Sequence, residues 1–392
     1  MTWGVFIVRD FRFFLSTDLR FGNNQCLKLP DYIKDLGHSK IALIIDNGVV
    51  NNQQVIKCIN SLKDNNISFD IYVNESVEPT YDYLEDFRKR FIGKSYDCLV
   101  GIGGGSTLDL TKGIATLLTN DGEAISFRGF PKLKNKPLPI IAIPTTAGTG
   151  SEVTYNAVFT DSKEKKKLGI NSTLNFPSLA IIDPLIYIGM PEKAAISSGC
   201  DALVHTLESY VHKNNTPISR IFSKEAFRLL FNNLNRLLED FNNTDIWGAL
   251  SLGAYLAGIA LINAGSGPSG AFSYPLGAVY KVPHGYAGAV FISKITKINV
   301  EKGYTDYADL YDLIEGADKT ISNEDKNLKF AVELQNLMDK LKVPRNLRDF
   351  GLKKPDIEFL LSQYDILKGA IDQNPIEITK EDCKKMFQEL FE

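Results

Sequence analysis

The stretch LVGIGGGSTLDLTKGIA, residues 99–115, joins an apolar run to a helical pattern through three consecutive glycines. The run predicts a buried strand and the pattern after it a helix. Gly103, Gly104 and Gly105 allow positive φ and close approach of a ligand, and Ser106 can cap the helix. A helix N-terminus offers N–H groups and a positive dipole end to a pyrophosphate. The spacing is neither G-x-G-x-x-G nor a Walker loop, so a plain tight turn remains the alternative.

The first half of the chain alternates short apolar runs with helical patterns. The runs KIALIID, ISFDIYVN, YDCLVGIG and PLPIIAIPTT predict buried strands, and the segments between them predict helices. Such alternation is typical of a parallel sheet that helices cover on both faces. The first half is therefore predicted to be an α/β domain.

The pattern changes near Asp183-Pro184, beyond which helical spacing replaces strand patterns. We predict an α/β dinucleotide-binding domain over residues 1–185 and an all-helical domain over 186–392. The segment WGALSLGAYLAGIALINA, residues 247–264, carries no charge and reaches the lower length limit for a membrane span. It is rich in Gly and Ala and lacks flanking basic residues, so a helix buried in the helical core, and no membrane partner, is the prediction.

Composition argues against several classes of partner. The chain has 392 residues with 44 Lys and Arg against 47 Asp and Glu, so no basic excess favours nucleic acid. Its five cysteines are scattered without C-x-x-C spacing, which favours reduced thiols in the cytoplasm. The first residues, MTWGVFIVRDFRFF, lack the basic and apolar regions of a signal peptide.

Two further features suit a nucleotide. Asp46 ends the first clear strand, where a carboxylate can accept hydrogen bonds from a ribose diol and repel a 2′-phosphate. An Asp-Asn-Gly turn is an equally good explanation of that residue. The loop IPTTAGTGSEVT, residues 143–154, follows the next strand with small hydroxyl residues and glycines, which suit a nucleotide or a polar connection.

A possible metal site begins in GCDALVHTLESYVH, residues 199–212. Asp201 and His205 lie four residues apart, on one face of the predicted helix, and a carboxylate with an imidazole at that spacing can bind a divalent ion. A surface ion pair is the alternative. His284, in the sequence VPHG, would have to converge on them from a distant part of the chain.

Three blocks together carry a family resemblance: GGGSTLDLTK, PTTAGTGSEVT, and GCDALVHTLESY followed at a distance by PLGAVYKVPHG. The chain resembles the iron-containing (group III) alcohol dehydrogenases, whose superfamily includes glycerol dehydrogenase and dehydroquinate synthase. The resemblance covers nearly the whole chain. It implies an α/β domain and an all-helical domain with NAD(P) and a divalent metal, Fe²⁺ or Zn²⁺, in the cleft between them. We also expect a homodimer or a larger homo-oligomer.

The resemblance assigns roles to individual residues. The matching cofactor contacts are Gly103, Gly104, Gly105, Ser106 and Asp109 at the pyrophosphate, Thr145, Thr146 and Thr149 in the hydroxyl-rich loop, Lys167 at the nicotinamide ribose, and Asp46 as the acid that favours NAD over NADP. Asp201, His205 and His284 match three metal ligands.

The family's block H-x-x-x-H-P-L-G departs in this chain, because its two histidines fall on Gly270 and Tyr274. Three protein ligands with water form an acceptable catalytic site, and weak metal binding is the alternative. A branch of sugar-acid enzymes, the 3-deoxy-octulosonate 8-oxidases, resembles the chain in S-Y-x-L-G and in a Glu-Pro at Glu78-Pro79. Tyr274 either bonds a polyol hydroxyl and relays a proton or simply packs in the loop.

These features predict an NAD-dependent, metal-assisted alcohol dehydrogenase or aldehyde reductase. The predicted substrate is a polar, hydroxylated small molecule such as a sugar or sugar acid, with a simple alcohol as the alternative. Two other classes stay open: a nucleotide-binding protein with a weakened metal site and little turnover, and a lyase of the dehydroquinate synthase type.

Overall fold

The computed structural model describes residues 10–164 and 166–392. The expectation about a signal peptide falls largely on residues 1–9, which lie outside the described residues.

A six-stranded parallel sheet forms the centre of the first half, in the order β1-β10-β5-β4-β2-β3. Two short antiparallel pairs, β6 with β9 and β7 with β8, lie outside it. The strands are β1 Asp18–Phe21, β2 Lys40–Asp46, β3 Ser68–Asn74, β4 Cys98–Gly103, β5 Ile140–Pro144, β6 Asn156–Ala157, β7 Thr160–Asp161, β8 Lys166–Lys167, β9 Ile170–Asn171 and β10 Leu179–Ile182.

Helices cover both faces of this sheet and make up the second half. In the first half they are α1 Leu29–Asp35, α2 Gln53–Asp64, α3 Tyr81–Arg88 and α4 Gly105–Leu117. In the second half they are α5 Glu192–Val211, α6 Pro217–Leu237, α7 Thr244–Ala264, α8 Pro268–Tyr280, α9 His284–Glu301, α10 Ala308–Tyr311, α11 Asn323–Lys340, α12 Asp356–Ile371 and α13 Lys380–Glu389. The predicted combination of a parallel-sheet domain with a helical domain is confirmed.

The sheet reverses its direction of growth beside β2. The chain passes from β2 to β3 on one side and then to β4 on the other. In open parallel sheets, ligands bind outside the carboxyl ends of the strands at such a reversal. Asp46 ends β2 and Gly103 ends β4, so these two residues mark that crevice.

Apolar packing explains the sheet and the connection between the halves. Every residue of β4 is buried, because α3 and α4 cover one face of the sheet and α1 and α2 cover the other. The main core of the helical half includes Ala180 and Ile182 of β10, so the two halves share one apolar core.

The uncharged segment at residues 247–264 belongs to α7, which packs against α5 and α6. By length and composition alone this helix could cross a membrane, and it is the one such helix among the described residues. More than half of its most apolar window is buried inside the protein. Its small residues permit close packing. A methyl group on Gly150 would lie only 2.7 Å from Gly258 Cα of this helix.

Two local expectations need correction or comment. Ser106 does not cap α4; the N-cap is Gly104, which makes no side-chain capping bond. The helix starts two residues earlier than a Ser106 cap requires, and the Ser106 hydroxyl donates instead to the Val77 carbonyl. All five cysteines are free and buried, in agreement with the reduced thiols predicted from their spacing.

Candidate active site

Two neighbouring cavities occupy the cleft between the sheet and the helical half. The larger cavity, about 1130 Å³, lies at the carboxyl ends of β2 and β4. The smaller cavity, about 660 Å³, lies between the β7–β8 pair and helices α5, α7 and α8. Both are bordered by Gly105, Thr149, Asp201 and His284. A ligand that fills the larger cavity would therefore meet one that fills the smaller cavity beside Asp201 and His284.

The three glycines pack tightly at the larger cavity, which Gly104 and Gly105 line. A methyl group on Gly103 would lie 2.6 Å from Thr107 Cβ, and one on Gly105 would lie 2.6 Å from Thr149 Cγ2. No side chain larger than hydrogen fits at either position. Because no side chain caps the start of α4, the first N–H groups of the helix are available to an anion in this cavity.

Asp46 serves the turn and also borders the larger cavity. Its Oδ1 accepts from the Gly48 N–H at 2.7 Å, which is the Asp-Asn-Gly turn considered from the sequence. Its Oδ2 accepts from the Thr107 hydroxyl at 3.1 Å, and Thr107 accepts from Asn74 Nδ2 at 2.8 Å. These bonds orient the carboxylate at the crevice beside the glycines.

The hydroxyl-rich loop after β5 borders the same cavity. Thr145, Thr146 and Thr149 all line it, and Thr146 packs against Gly104. The loop turns back through Gly150, whose φ of 65° lies in the left-handed region that glycine tolerates best. The structure thus brings the three threonines, the three glycines and Asp46 to one crevice.

Asp109 lies apart from that group. It borders the smaller cavity, where its Oδ1 accepts from the Ser151 hydroxyl at 2.6 Å and its Oδ2 accepts from the Val158 N–H at 2.9 Å. The buried Lys112 lies 3.5 Å from Oδ1. The carboxylate therefore braces the loops after β5 from within α4.

The predicted metal ligands converge. Ligand atoms of Asp201, His205 and His284 all lie within 4.8 Å of one another. Asp201 Oδ1 is 3.7 Å from Nε2 of His205 and 3.7 Å from Nε2 of His284. Ligands about 2.1 Å from one ion stand roughly 3–4 Å apart, so these separations suit a divalent cation. The i,i+4 spacing on α5 and the first residue of α9 produce this arrangement.

A hydrogen-bond relay sets the tautomer of His284. The Ser273 hydroxyl donates to the Gly270 carbonyl at 2.5 Å, so the proton between Ser273 Oγ and His284 Nδ1, which are 3.0 Å apart, belongs to the imidazole. Nε2 is then unprotonated and presents its lone pair toward Asp201. Burial lowers the pKa of His284, which also favours the neutral imidazole. A carboxylate oxygen and an imidazole lone pair that face each other call for a cation between them.

His205 completes the evidence that the donor set suits a metal ion. Its Nδ1 is buried and has no hydrogen-bond partner among the described residues. Its Nε2 points at Asp201, which is almost wholly buried. A buried carboxylate facing two imidazole nitrogens would be poorly compensated without a positive charge.

The place of the expected fourth ligand is filled by other groups. A methyl group on Gly270 would lie 2.4 Å from Ser266 Oγ and 2.9 Å from Glu208 Oε2. Glu208 is 2% exposed and accepts from the Ser266 hydroxyl and from the N–H groups of Gly267, Ser269 and Gly270. Its carboxylate thus holds the N-terminus of α8 where an imidazole would need space.

Tyr274 projects into the smaller cavity beside the metal ligands. Its ring lies against His284, with centroids 5.3 Å apart, and 37% of the residue is exposed. Desolvation and the neighbouring carboxylates raise the pKa of Tyr274 to about 12. The phenol is therefore protonated at neutral pH.

Lys167 lies at the edge of the smaller cavity and is paired. Its Nζ donates to Glu78 Oε1 at 2.8 Å. Neither Glu208 nor Ser273 was identified from the sequence. A signal for Glu208 existed, because it lies three residues after His205 and seven after Asp201, on the same face of α5.

Comparisons with known proteins identify the family of the chain. The family model "Iron-containing alcohol dehydrogenase" matches residues 16–184, and "Fe-containing alcohol dehydrogenase family, C-terminal" matches residues 195–391. The 1,3-propanediol dehydrogenase of Citrobacter freundii is 31% identical over 95% of this chain and 96% of that protein. A crystal structure of a 1,3-propanediol oxidoreductase is 30% identical, with a TM-score of 0.92 over 98% of this chain and 100% of that one.

A second solved structure contains the nucleotide. The sulfoacetaldehyde reductase from Bifidobacterium kashiwanohense, in complex with NAD⁺, is 25% identical and has a TM-score of 0.88. The similarity covers 98% of this chain and 99% of that one.

Proposed function

The chain belongs to the iron-containing alcohol dehydrogenase family, and from this premise we propose that its cleft interconverts a small polar, hydroxylated alcohol and the corresponding aldehyde or ketone. The enzyme is an NAD-dependent oxidoreductase that acts on CH–OH groups. The observation that carries the proposal is the meeting of the two cavities at Asp201 and His284, beside the glycine loop.

In this proposal the larger cavity holds the nucleotide. The N-terminus of α4 and the backbone at Gly103, Gly104 and Gly105 receive the pyrophosphate, and the three threonines line its path. Asp46 accepts hydrogen bonds from the adenosine ribose and repels a 2′-phosphate, so NAD is preferred to NADP. Lys167 lies toward the nicotinamide end, and Asp109 supports the loops that close around it.

Asp201, His205 and His284 hold the divalent metal, Fe²⁺ or Zn²⁺. A divalent cation held by these residues would stabilise negative charge on the substrate oxygen, and bound NAD would supply the hydride chemistry. Asp201 brings its negative charge to the ion, and Ser273 keeps His284 in the ligating tautomer. Three protein ligands would leave the ion a coordination position for substrate or water.

We assign the proton relay to Tyr274. Its hydroxyl is protonated at neutral pH and lies in the cavity that the substrate would enter. It can donate its proton to the substrate oxygen during reduction and regain one from water, and during oxidation it can pass its own proton to water as it takes the proton of the alcohol. A water path to the ribose hydroxyls is the competing route, and a Tyr274→Phe variant that keeps full turnover would favour it.

We also propose that domains 1–185 and 186–392 act as the two walls of the cleft and that the protein is a cytoplasmic homodimer or larger homo-oligomer. Sedimentation of the purified protein tests the assembly.

Metal titration combined with turnover tests the function. Apoprotein loaded with Zn²⁺ or Fe²⁺ should oxidise NADH with a panel of hydroxyaldehydes, and Asp201→Asn should lower metal affinity and reduce kcat/KM about 100-fold or more. Asp365→Asn removes an equal charge from an exposed ion pair on α12 and should change neither quantity.

The competing function is a nucleotide-binding protein with little turnover, which the lost ligand at Gly270 favours. Tight NADH binding without metal uptake and without turnover on any aldehyde would support that function and contradict the dehydrogenase.

A further inference from the structure

Carboxylates outnumber ammonium groups in the lining of the smaller cavity. The carboxylates of Glu78, Asp109 and Asp201 border it, together with one ammonium group, that of Lys167. Lys167 is the sole Lys or Arg among the described residues that line this cavity. Asp109 is held by Ser151, and Asp201 faces the two imidazoles. Recognition of an anionic substrate by this wall would therefore depend on Lys167.

Lys167 already has a counter-charge. Its Nζ lies 2.8 Å from Glu78 Oε1, and the two side chains are 11% and 37% exposed. The pair rests against α8, since a methyl group on Gly277 would lie 3.8 Å from Lys167 Nζ and 3.9 Å from Glu78 Oε1. Tyr274 lies one turn earlier on the same helix, so the pair borders the space next to the reacting centre.

The loop that carries Glu78 is fixed in place. The carbonyl of Pro79 accepts from the Thr160 N–H at 3.1 Å, which joins the loop to β7. Lys167 on β8 is in register with Thr160, so the strand of Lys167 and the loop of Glu78 are both joined to β7. The ion pair of Lys167 and Glu78 therefore has a defined position in the wall of the smaller cavity.

An anion near the reacting carbon would have to displace Glu78 from Lys167, or lie against this wall without an ammonium partner. Both outcomes are unfavourable in a desolvated cavity. Hydroxyl groups face no such obstacle, because an ion pair still offers N–H donors and carboxylate lone pairs to them. The wall therefore discriminates by charge.

We propose that Glu78 is a specificity-determining residue: by neutralising Lys167 it restricts the substrate to alcohols and aldehydes that carry hydroxyl groups but no negative charge close to the reacting carbon. This inference rests on the proposed dehydrogenase function.

A matched pair of aldehydes tests it. Succinic semialdehyde and its methyl ester have the same reacting group and chain, and differ in the terminal charge. With zinc-loaded enzyme and NADH, kcat/KM for the ester should exceed that for the anion by about tenfold or more. Glu78→Gln frees Lys167 and should reduce this preference about tenfold.

Two further variants test whether the freed ammonium group of Lys167 causes the change in preference. Glu78→Gln combined with Lys167→Met should not show the increase in kcat/KM for the anion that Glu78→Gln alone shows. The freed ammonium group of Lys167 is the source of that increase. Glu75→Gln removes the same charge from an exposed position three residues away, outside the cavity lining, and should leave the preference unchanged.

The possible failures are distinguishable. Absence of turnover with every aldehyde would overturn the proposed function and this inference with it. Turnover of anion and ester at equal kcat/KM by the wild-type enzyme, or an unchanged preference in Glu78→Gln, would overturn this inference alone.

Discussion

Gly270 is the residue at which the chain departs most from its family's metal-binding pattern. The sequence suggests a simple vacancy that a histidine could refill. The structure shows Ser266 Oγ and Glu208 Oε2 within 3 Å of the position that a β-carbon would take. The position of the missing histidine is thus surrounded by contacts at the start of α8.

We expect that Gly270→His will not restore a fourth metal ligand. The new side chain would displace Ser266 and disturb Glu208, lowering the free energy of unfolding by roughly 1–3 kcal/mol. Zinc affinity should not rise, because the imidazole cannot occupy the space next to Asp201 while α8 keeps its position. Urea denaturation and zinc calorimetry on the purified variant check both points.

Gly369→His is the matched control, since nothing lies within 4 Å of a β-carbon at that position of α12. It should be neutral or slightly stabilising, because glycine is a poor helix former. A tenfold rise in zinc affinity of Gly270→His would show that α8 shifts and that the site accepts four protein ligands.

At the level of residues, sequence spacing predicted the site residues that lie on a single helix or loop. Asp201 and His205 are four residues apart on α5, and the three glycines adjoin one helix start. Glu208 and Ser273 escaped prediction because their roles depend on contacts between α5, α8 and α9, across 58 and 11 residues of sequence respectively. Sequence spacing gives no measure of such contacts.

Among the elements, α8 links the metal site to the buried carboxylate of Glu208. Both carboxylate oxygens accept from the first turn of this helix, where negative charge is also favoured by the helix dipole. The same helix carries Ser273 and Tyr274. Its position therefore controls the tautomer of His284 and the place of the proposed proton donor.

Glu208→Gln should destabilise the protein by about 3 kcal/mol, because an amide NH₂ would face the N–H donors that a carboxylate oxygen now accepts. Zinc affinity should fall as well, since α8 positions Ser273. Glu225→Gln, in an exposed pair with Arg228, should cost less than about 1 kcal/mol. Equal stability of the two variants in urea would contradict this role of Glu208.

The strands that were predicted have five to seven residues, and those that were missed have two to four. β2 and β4 are near-continuous apolar runs at the centre of the sheet, and the sequence predicts them correctly. β1 has four mostly exposed residues at an edge, and β10 is a run of only four buried apolar residues. Pairing partners distant in sequence, rather than local pattern, make these segments strands.

For the whole molecule, the contact between the halves contains a buried acid. Glu152 lies in the turn after Gly150, is 3% exposed, and faces Lys112 of α4, Tyr187 and Tyr255 of α7. Burial raises the pKa of Glu152 to about 7 and raises the pKa of both tyrosines above their usual range. Burial lowers the pKa of Lys112.

A raised carboxyl pKa makes stability depend on pH in a definite direction. The folded protein holds a proton on Glu152 that the unfolded chain releases above about pH 4.5, so the stabilisation is complete below that pH and is lost as the pH rises through about 7. The loss above pH 7 is about 3 kcal/mol for a shift from 4.5 to about 7. Ionisation of Glu152 therefore destabilises the contact between the two halves at neutral and alkaline pH.

Glu152→Gln stays neutral at every pH, so its urea midpoint should change little between pH 5 and pH 8, while that of the wild type should fall. The variant should match the wild type near pH 5 and exceed it at pH 8, by an amount that approaches the estimated loss. Glu239→Gln, an exposed control, should keep the wild-type slope. A slope that survives in Glu152→Gln would assign the pH dependence to another group, with Lys112 the nearest candidate, and would show that Glu152 is ionised in the folded protein.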